Sequence, residues 1–488
     1  MENYNERNYY TTLKFILIKA TYDLFPEAKV KIHHSLNKGI YGEILKEPKI
    51  KSEDIVAIKN RMNVLIREDI PIRPVVMPVC DIQKHDCIYN RPDMRRLIEY
   101  SDWVDLRVYE MEGFYDYYHN GMLKSTGYLN LFDLSPYNGG FILKYPFQND
   151  PYRIPVETDH PKLAKIFHES ESWGQIMEVC DVGALNEKIL NKDIAELIMV
   201  NEALHHKKLS FIADEISKKE GVKLVTVAGP SSSGKTTFTN RLAIHLRVNG
   251  LKPLVISLDN YYRGRNFLPL DENGKKDFES IKALDIELLN NNLKDLMEGQ
   301  EVEIPNYNFL SGEREKVGKK SKLAKNGIIL IEGIHGLNEE LTWEIPKQNK
   351  YKIYISCLTT LNIDDHNRIP TSEVRKLRRI VRDSLSRGTG AEGTLSMWES
   401  VRRGEEKNIF PFQEEADAIF DSNLIYELGI LKKYAHGELK KVQSGSIFYE
   451  ESQRLIKFLN YFREIDPKFV PDDSILKEFI GGSYFYKY

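Results

Sequence analysis

The sequence has few cysteines, no long apolar run and almost no net charge. Its 488 residues contain four cysteines (Cys80, Cys87, Cys180 and Cys357), and none forms a C-x-x-C pair. That spacing excludes the usual zinc and disulfide frameworks and indicates free thiols in a reducing compartment. No apolar stretch reaches the roughly 18 residues of a membrane helix, and the first residues, MENYNERNYY, lack a signal-peptide pattern, so we expect a cytoplasmic protein. A net charge of −3 argues against nucleic acid as a partner.

Sequence character changes along the chain. Residues 1–185 mix helices and aromatic-rich strands, which predicts an α+β domain. Residues 186–221 predict a connecting helix. Residues 222–434 alternate strands with helices, which is typical of a parallel, doubly wound α/β sheet. Residues 435–488 predict a helical extension. Within the first domain we predict helices at Thr12–Leu24 and Ser52–Glu68, and strands at Trp103–Tyr109, Gly127–Phe132 and Gly140–Tyr145.

The segment Gly229–Thr236 matches the phosphate-binding pattern G-x-x-x-x-G-K-[ST]. An apolar run, 222–228, leads into it, and an amphipathic run, 236–248, follows it. Such a strand–loop–helix places backbone N–H groups and a positive helix end around a phosphate of ATP. Lys235 would contact the β- and γ-phosphates, and Thr236 would ligate Mg²⁺. The alternative is a glycine-serine turn with a surface lysine, which the flanking pattern disfavours. The predicted cofactor-binding residues are Gly229, Ser231, Ser232, Ser233, Gly234, Lys235, Thr236 and Thr237.

Two acids follow apolar strand patterns within this half. Asp259 follows the run LVISL and could accept the proton of an attacking hydroxyl, or could simply cap a turn. Glu332 ends the run GIILI, where an acid commonly holds Mg²⁺ through water, although a structural acid is the alternative. Because ligands of open α/β sheets bind beyond the carboxyl ends of the strands, both acids are placed for phosphoryl transfer.

An arginine-rich helix is predicted around residues 378–388. Arg379, Arg382 and Arg387 can share a broad face and stabilise charge on a transferring phosphoryl group. A solvated face, paired with acids such as Glu373 and Asp383, is the alternative. The glycine-rich stretch 388–393 favours a mobile lid joined to this helix.

These motifs together resemble the uridine kinase and phosphoribulokinase group of P-loop kinases over about 222–434. The carriers are GPSSSGKTT (229–237), SLDNYY (257–262), IPNYNF (304–309), IEGIHGLN (331–338), RRIVRDSLSRG (378–388) and the EEAD stretch ending at Asp417. The resemblance implies an ATP- and Mg²⁺-dependent kinase acting on a nucleoside 5′-hydroxyl. It implies that Asp259 is the general base, that Lys235, Arg382 and Arg387 assist catalysis, and that Thr236 and Glu332 hold the metal. The implied substrate-binding residues are Tyr261, Tyr262, Glu279, Tyr307, Phe309 and Arg379.

Two positions depart from that family. The histidine with which uridine kinases contact the base is matched by Gly312, and an arginine beyond the lid helix is matched by Thr389. Loss of a buried polar contact relaxes specificity. A nucleoside kinase, a kinase of a non-nucleoside alcohol, and a nucleotide-gated protein that binds RNA or protein therefore all remain open. We also leave the oligomeric state open.

The first domain resembles the editing-type second domain of threonyl-tRNA synthetases. The resemblance rests on LFPEAKVKI (24–32) and NKGIY (37–41). The metal-site histidines of that domain are matched here by Thr11 and Phe15, so we expect no editing chemistry. We expect the adjacent His33 and His34 to point to opposite sides of a strand, and His205 with His206 to lie on a solvated face.

Overall fold

Each of two units has its own buried core. The structure, a computed structural model, describes residues 4–82, 84–156, 158–270, 274, 276–308 and 311–486. The N-terminal unit comprises Met1–Ile194, Thr359–Pro370 and Lys457–Arg463, and the P-loop unit comprises Ala195–Leu358, Thr371–Ile456 and Glu464–Tyr488. No helix among the described residues is long and apolar enough to cross a membrane.

Antiparallel sheets and helices form the N-terminal unit. Strands β1, β2, β7 and β6 make one sheet in the order β1-β2-β7-β6, and β3-β4-β5 make a second. The elements are α1 (Glu6–Leu24), β1 (Lys29–Leu36), β2 (Gly39–Leu45), α2 (Ser52–Arg67), β3 (Arg73–Pro78), α3 (Val79–Ile82), α4 (Asp86–Tyr89), α5 (Pro92–Glu99), β4 (Asp105–Met111), β5 (Phe114–Tyr117), β6 (Asp133–Tyr137), β7 (Gly140–Lys144), α6 (Pro161–Ile176) and α7 (Val182–Leu190).

Side-chain hydrogen bonding explains one wrong strand prediction in this unit. A short 3₁₀ helix occupies Thr126–Tyr128, and the strand begins only at Asp133. The buried Thr126 hydroxyl accepts a hydrogen bond from Ile70 N–H (2.8 Å) and donates one to Leu65 O (2.6 Å). These local side-chain bonds substitute for a strand ladder. The other predicted helices and strands of this half are confirmed to within a few residues, with α1 extending back to Glu6.

A five-stranded parallel sheet forms the centre of the P-loop unit, with strand order β18-β15-β8-β14-β9. The prediction of a parallel α/β sheet is therefore confirmed. The elements are α8 (Ile194–Lys218), β8 (Leu224–Ala228), α9 (Lys235–Val248), β9 (Lys252–Ser257), α10 (Ile286–Met297), β10 (Glu301–Ile304), β11 (Tyr307–Asn308), β12 (Glu313–Arg314), β13 (Lys319–Lys322), β14 (Gly327–Glu332), β15 (Lys350–Ser356), β16 (Asn362–Asp364), β17 (Asn367–Arg368), α11 (Thr371–Ser386), α12 (Ala391–Asn408), β18 (Ala418–Asp421), α13 (Glu427–Leu439), α14 (Tyr449–Leu459) and α15 (Lys477–Ile480). Although they fall within this stretch of the chain, the β16–β17 hairpin and the end of α14, from Lys457, belong by their contacts to the N-terminal unit.

The topology brings three strand ends together. β8 is central, β14 and β9 lie on one side of it, and β15 and β18 on the other. In the parallel register Glu332 is the partner of Val227 on β8 and of Ser257 on β9. The carboxyl ends of β8, β9 and β14, with the residues that follow them, therefore meet at one edge of the sheet.

The predictions for His33, His34 and His205 are wrong, whereas the His206 side chain is 45% exposed, as expected. An irregularity in the β1–β2 register between Ile32 and Ser35 places Nδ1 of both His33 and His34 near Glu171 Oε1, at 3.0 and 3.2 Å. A bulge interrupts the alternation of side chains that a regular strand would impose. His205 is buried rather than solvated, and its Nε2–H donates to the carbonyl of Asn423 (3.0 Å).

Candidate active site at the carboxyl ends of the parallel strands

The loop between β8 and α9 has a backbone that its sequence makes possible. Gly229 passes so close to β15 that a Cβ atom there would lie 1.9 Å from Ile355 O. Gly234 (φ +85°) and Ser232 (φ +60°) both lie in the left-handed region, where glycine is favoured. The loop thus turns sharply and leads directly into the first turn of α9, which begins at Lys235.

Lys235 closes this loop on itself. Its ammonium group donates to the carbonyl oxygens of Gly229 (3.0 Å) and Pro230 (3.1 Å). Burial lowers the pKa of Lys235, while the nearby carboxylates of Glu332 and Glu478 oppose that shift. The ammonium is therefore a partly desolvated cation, which interacts more strongly with an anion than a fully solvated one would.

Two buried hydroxyls fit a phosphate ligand. The side-chain oxygens of Ser232 and Ser233 have no hydrogen-bond partner among the residues that the structure describes. Such groups are costly to leave unpaired. Together with the first-turn N–H groups of α9, they form a donor set that suits the phosphates of ATP.

A buried ion pair between α11 and α12 holds the backbone of the phosphate loop. Glu405 on α12 accepts a hydrogen bond from the N–H of Ser231 (3.0 Å) and pairs with Arg375 on α11 through the two terminal guanidinium nitrogens. Arg375 also donates to Ser231 O at 3.1 Å, and Arg378 donates to Ser232 O at 3.3 Å. Sequence reasoning missed both residues of the pair, because neither Arg375 nor Glu405 lies in a motif that we singled out.

Glu332 is a buried carboxylate with one polar partner from the next strand. The hydroxyl of Ser257 donates to Glu332 Oε1 at 2.6 Å. Burial and the neighbouring Asp259 carboxylate raise the pKa of Glu332 to about 7, while Lys235 opposes the shift. Among the described residues no group of three His, Cys, Asp or Glu side chains could hold a metal by itself. Glu332 and the half-buried Thr236 nevertheless fit Mg²⁺, which keeps several waters and takes few protein ligands.

Asp259 lies in a short 3₁₀ helix, Leu258–Tyr261, just after β9. Burial raises its pKa, and the charges of Lys235, Arg387 and Arg382 act in the opposite direction. The charges of the loop lysine, of Arg382 in α11 and of Arg387 just after α11 therefore act on this carboxylate.

Three of the predicted arginines converge on one acid. Asp383 accepts hydrogen bonds from Arg379 (3.1 Å) and Arg382 (2.8 Å), and its carboxylate lies 3.7 Å from Arg387 Nε. Arg379 also donates to the hydroxyl of Ser231 at 2.8 Å. The alternative considered for these arginines, pairing with acids such as Asp383, is therefore present, and Arg379 also contacts the phosphate loop. Helix α11 ends at Ser386, and α12 already begins at Ala391, so residues 391–393 of the predicted lid are helical.

The residues predicted to contact the acceptor lie in different environments. Tyr261 is fully buried in the core, and its hydroxyl accepts from Asn292 (3.0 Å), an arrangement that does not favour contact with a sugar. Tyr262 donates to Phe278 O (2.8 Å), and its ring centroid lies 5.7 Å from that of Tyr307. Phe309 lies outside the described residues.

Glu279 is near enough to Tyr262 for its charge to contribute to the raised pKa of that tyrosine. Burial raises the pKa of Glu279 to about 7, while Arg379 and Lys235 oppose the shift. A Cβ atom on Gly404 would lie 2.5 Å from the Glu279 side chain, so α12 approaches the site closely here. His335, which sequence reasoning did not single out, lies beside the Glu279 backbone, and burial lowers its pKa to about 4. Its place in the motif IEGIH, directly after β14, was the available signal.

Gly312 adopts φ +72° and packs against Arg265. A Cβ atom at this position would lie 2.1 Å from Arg265 Nε, and Gly312 O accepts from Arg265 N–H at 3.0 Å. A histidine side chain therefore does not fit at Gly312 unless the exposed Arg265 moves.

Comparison with known proteins finds similarity over the part of the chain that contains the phosphate loop. A family model described as "Phosphoribulokinase / Uridine kinase family" matches residues 224–425. The uridine kinases of Staphylococcus aureus strains JH9 and Newman are each 30% identical over 197 residues, which cover 40% of this chain and 86% of those kinases. A solved structure of a possible uridine kinase from Bacillus stearothermophilus is 20% identical, covers 44% of this chain and 98% of that chain, and superposes with a TM-score of 0.31. Since the chain covers most of the length of the S. aureus relatives at 30% identity, it belongs to the phosphoribulokinase / uridine kinase family.

Proposed function

We propose that this protein is an ATP-dependent kinase that transfers the γ-phosphate to a hydroxyl of a nucleoside, most simply the 5′-hydroxyl. One observation carries the proposal. Asp259 follows β9 at the sheet edge where the phosphate loop begins, and the charges of Lys235, Arg387 and Arg382 act on its carboxylate. A nucleotide-binding protein without transferase activity has no need of a base at this point.

The phosphate loop and two oxygen ligands define the nucleotide side. Bound Mg-ATP would supply the phosphoryl group and neutralise part of its charge. Lys235 and the buried hydroxyls of Ser232 and Ser233 would hold the phosphates, and Thr236 with Glu332 would hold Mg²⁺. The remaining predicted loop residues, Gly229, Ser231, Gly234 and Thr237, would shape the loop or supply backbone N–H groups.

Asp259 would take the proton of the acceptor hydroxyl. Burial raises its pKa, which makes it a stronger base than an exposed aspartate, and the neighbouring cations favour its ionised form. Arg382 and Arg387 would then stabilise charge on the phosphoryl oxygens during transfer. Arg379, which donates to the Ser231 hydroxyl, would hold helix α11 against the phosphate loop.

Sugar and base would be recognised by different residues. Glu279 offers a carboxylate to ribose hydroxyls, and Tyr262 and Tyr307 offer a pair of neighbouring rings. Tyr261 would support these rings from the core, since its hydroxyl already accepts a hydrogen bond from Asn292. A kinase of a non-nucleoside alcohol is the second candidate. It is favoured by Gly312, where no side chain is available to contact a base edge.

The N-terminal unit would not carry out tRNA editing. We propose that residues 1–185 form a domain like the editing-type domain of threonyl-tRNA synthetases, followed by a connecting helix (186–221), the kinase domain (222–434) and a helical extension (435–488). The two positions that would need histidine hold core residues. The Thr11 hydroxyl donates to Arg7 O (2.7 Å), and Phe15 is fully buried, with its ring 5.8 Å from that of Phe114. Deacylation of a charged tRNA by the full chain would contradict this proposal. Nucleotide-gated binding of RNA or protein remains the alternative for the whole chain.

A panel of acceptors assayed with Mg-ATP tests the proposed activity. We expect phosphate transfer to at least one ribonucleoside, and we expect Lys235→Ala to abolish it while the protein stays folded. Transfer only to non-nucleoside alcohols would select the second candidate. Absence of transfer to every acceptor, with ATP still bound, would select the nucleotide-gated alternative.

A further inference from the structure

The C-terminal segment Asp472–Tyr486 packs on the phosphate loop. Ile475 covers Gly234 so closely that a Cβ atom on this glycine would lie 2.5 Å from Ile475 Cγ2. Glu478 on α15 accepts two hydrogen bonds from Thr237, one from its N–H (3.2 Å) and one from its hydroxyl (2.9 Å). The segment lies outside the part of the chain that the family model matches, 224–425.

The Glu478 carboxylate lies at the N-terminus of α9, where an anion is favoured. Thr237 is the third residue of α9, so its N–H is one of the first-turn donors that have no partner within the helix. Such donors, at the positive end of the helix dipole, bind carboxylates and phosphates alike. Both Glu478 and Thr237 are buried, so water does not screen the interaction.

The same carboxylate adds negative charge to the site. Its charge acts on Lys235 and on Glu332, two groups that the proposed reaction places around the phosphates. A nucleotide phosphate brought to the first turn of α9 would meet this charge and would compete for the same donors.

We propose that Glu478 is a built-in competitor of the nucleotide: its carboxylate holds the Thr237 donors until a phosphate oxygen of ATP displaces it. Only the side chain needs to move, because the segment is anchored elsewhere. Ile475, Leu476 and Phe479 are fully buried, and the guanidinium of Arg378 lies 4.9 Å from the centre of the Phe479 ring. The inference rests on the proposed function, since it assumes that the loop binds the phosphates of ATP.

Equilibrium binding of Mg-ATP by calorimetry, with the full chain and no acceptor, tests the inference. Glu478→Gln keeps an oxygen that can accept from Thr237 but removes the charge. Asp472→Asn is the matched control, because it removes one charge from the same segment at a side chain that is 76% exposed. We expect Glu478→Gln to lower the Kd for ATP by about fivefold, within the range for one charge at a helix terminus, and Asp472→Asn to leave it unchanged. The ATP-induced rise in melting temperature should be larger for Glu478→Gln than for the wild type.

The outcomes separate this inference from the proposed function. If the wild type binds ATP and Glu478→Gln binds it equally or more weakly, Glu478 only supports the loop and the inference is overturned. Equal tightening by Asp472→Asn would also overturn it, because the effect would then be one of general charge. A wild-type protein that binds no ATP would overturn both the inference and the proposed function.

Discussion

The hydroxyl of Ser257 donates a 2.6 Å hydrogen bond to Glu332, and the two residues are direct partners in the parallel pairing of β9 with β14. The bond joins the ends of two strands whose following residues carry the proposed chemistry. It also fixes the orientation of a carboxylate that lies in a buried site among other charges. The orientation of the Glu332 side chain is therefore set by the protein itself.

Glu332→Gln should weaken the binding of Mg²⁺ more than it weakens the binding of ATP. If Glu332 holds the ion through water, its loss should raise the Mg²⁺ concentration for half-maximal activity by about 10- to 100-fold. Ser257→Ala should shift the same titration in the same direction by less, because it removes only the orienting hydrogen bond. An unchanged Mg²⁺ titration in Glu332→Gln would show that this acid is structural.

The raised pKa of Glu332 predicts a pH dependence of stability. Between its ordinary pKa of 4.5 and about 7, the folded protein holds a proton on Glu332 that the unfolded chain has lost. The contribution of this residue therefore lowers the free energy of unfolding as pH rises through that window. The glutamine of Glu332→Gln does not titrate. Without nucleotide, the free energy of unfolding of this variant minus that of the wild type should therefore increase from pH 5 to pH 8. Urea unfolding at several pH values measures the difference, and a constant difference would contradict the raised pKa.

Asp259→Asn should lower kcat by a factor of about 10² to 10⁴, the usual contribution of a general base. The substitution keeps the size of the side chain but removes its ability to accept the hydroxyl proton. ATP binding, measured separately, should stay close to that of the wild type. A variant with full kcat would show that Asp259 serves structure or metal binding instead.

Glu405→Gln should destabilise the protein and weaken ATP binding, although Glu405 lies outside the phosphate-binding motif. The substitution leaves Arg375 buried without its carboxylate, which costs on the order of 3–5 kcal/mol in the free energy of unfolding. It should also raise KM for ATP, because Glu405 accepts the N–H of Ser231. Glu406→Gln is the control, since this neighbouring side chain is 52% exposed. Equal effects of the two substitutions would contradict a specific role of the buried pair.

Local patterns predicted the elements but not their long-range partners. The phosphate loop, β14 and the arginine helix were predictable because each is encoded within about 15 consecutive residues. Glu405 and Glu478 were not predictable, since they lie 174 and 241 residues from the loop residues that they contact. The prediction for His33 and His34 was wrong for a different reason. Side chains alternate between the two faces of β1 only where its register with β2 is regular.

Acceptor specificity should depend more on the sugar than on the base. Gly312 offers no side chain to contact a base edge, and Arg265 blocks the space that a histidine would need. Tyr262 and Tyr307 can stack with any base, whereas Glu279 offers a specific acceptor to ribose hydroxyls. We therefore expect similar kcat/KM values for uridine and other ribonucleosides. Removal of the ribose 2′-hydroxyl should cost about 1–3 kcal/mol, because it leaves a buried acceptor unpaired.

Glu279→Gln separates the two contributions. This variant should lose most of the discrimination between ribo- and deoxyribonucleosides, and its weak preference among bases should be unchanged. The measurement is kcat/KM for each nucleoside in both proteins. Strict selectivity for uridine in the wild type would show that another residue contacts the base. Retention of the ribose preference in Glu279→Gln would show that another group accepts the 2′-hydroxyl.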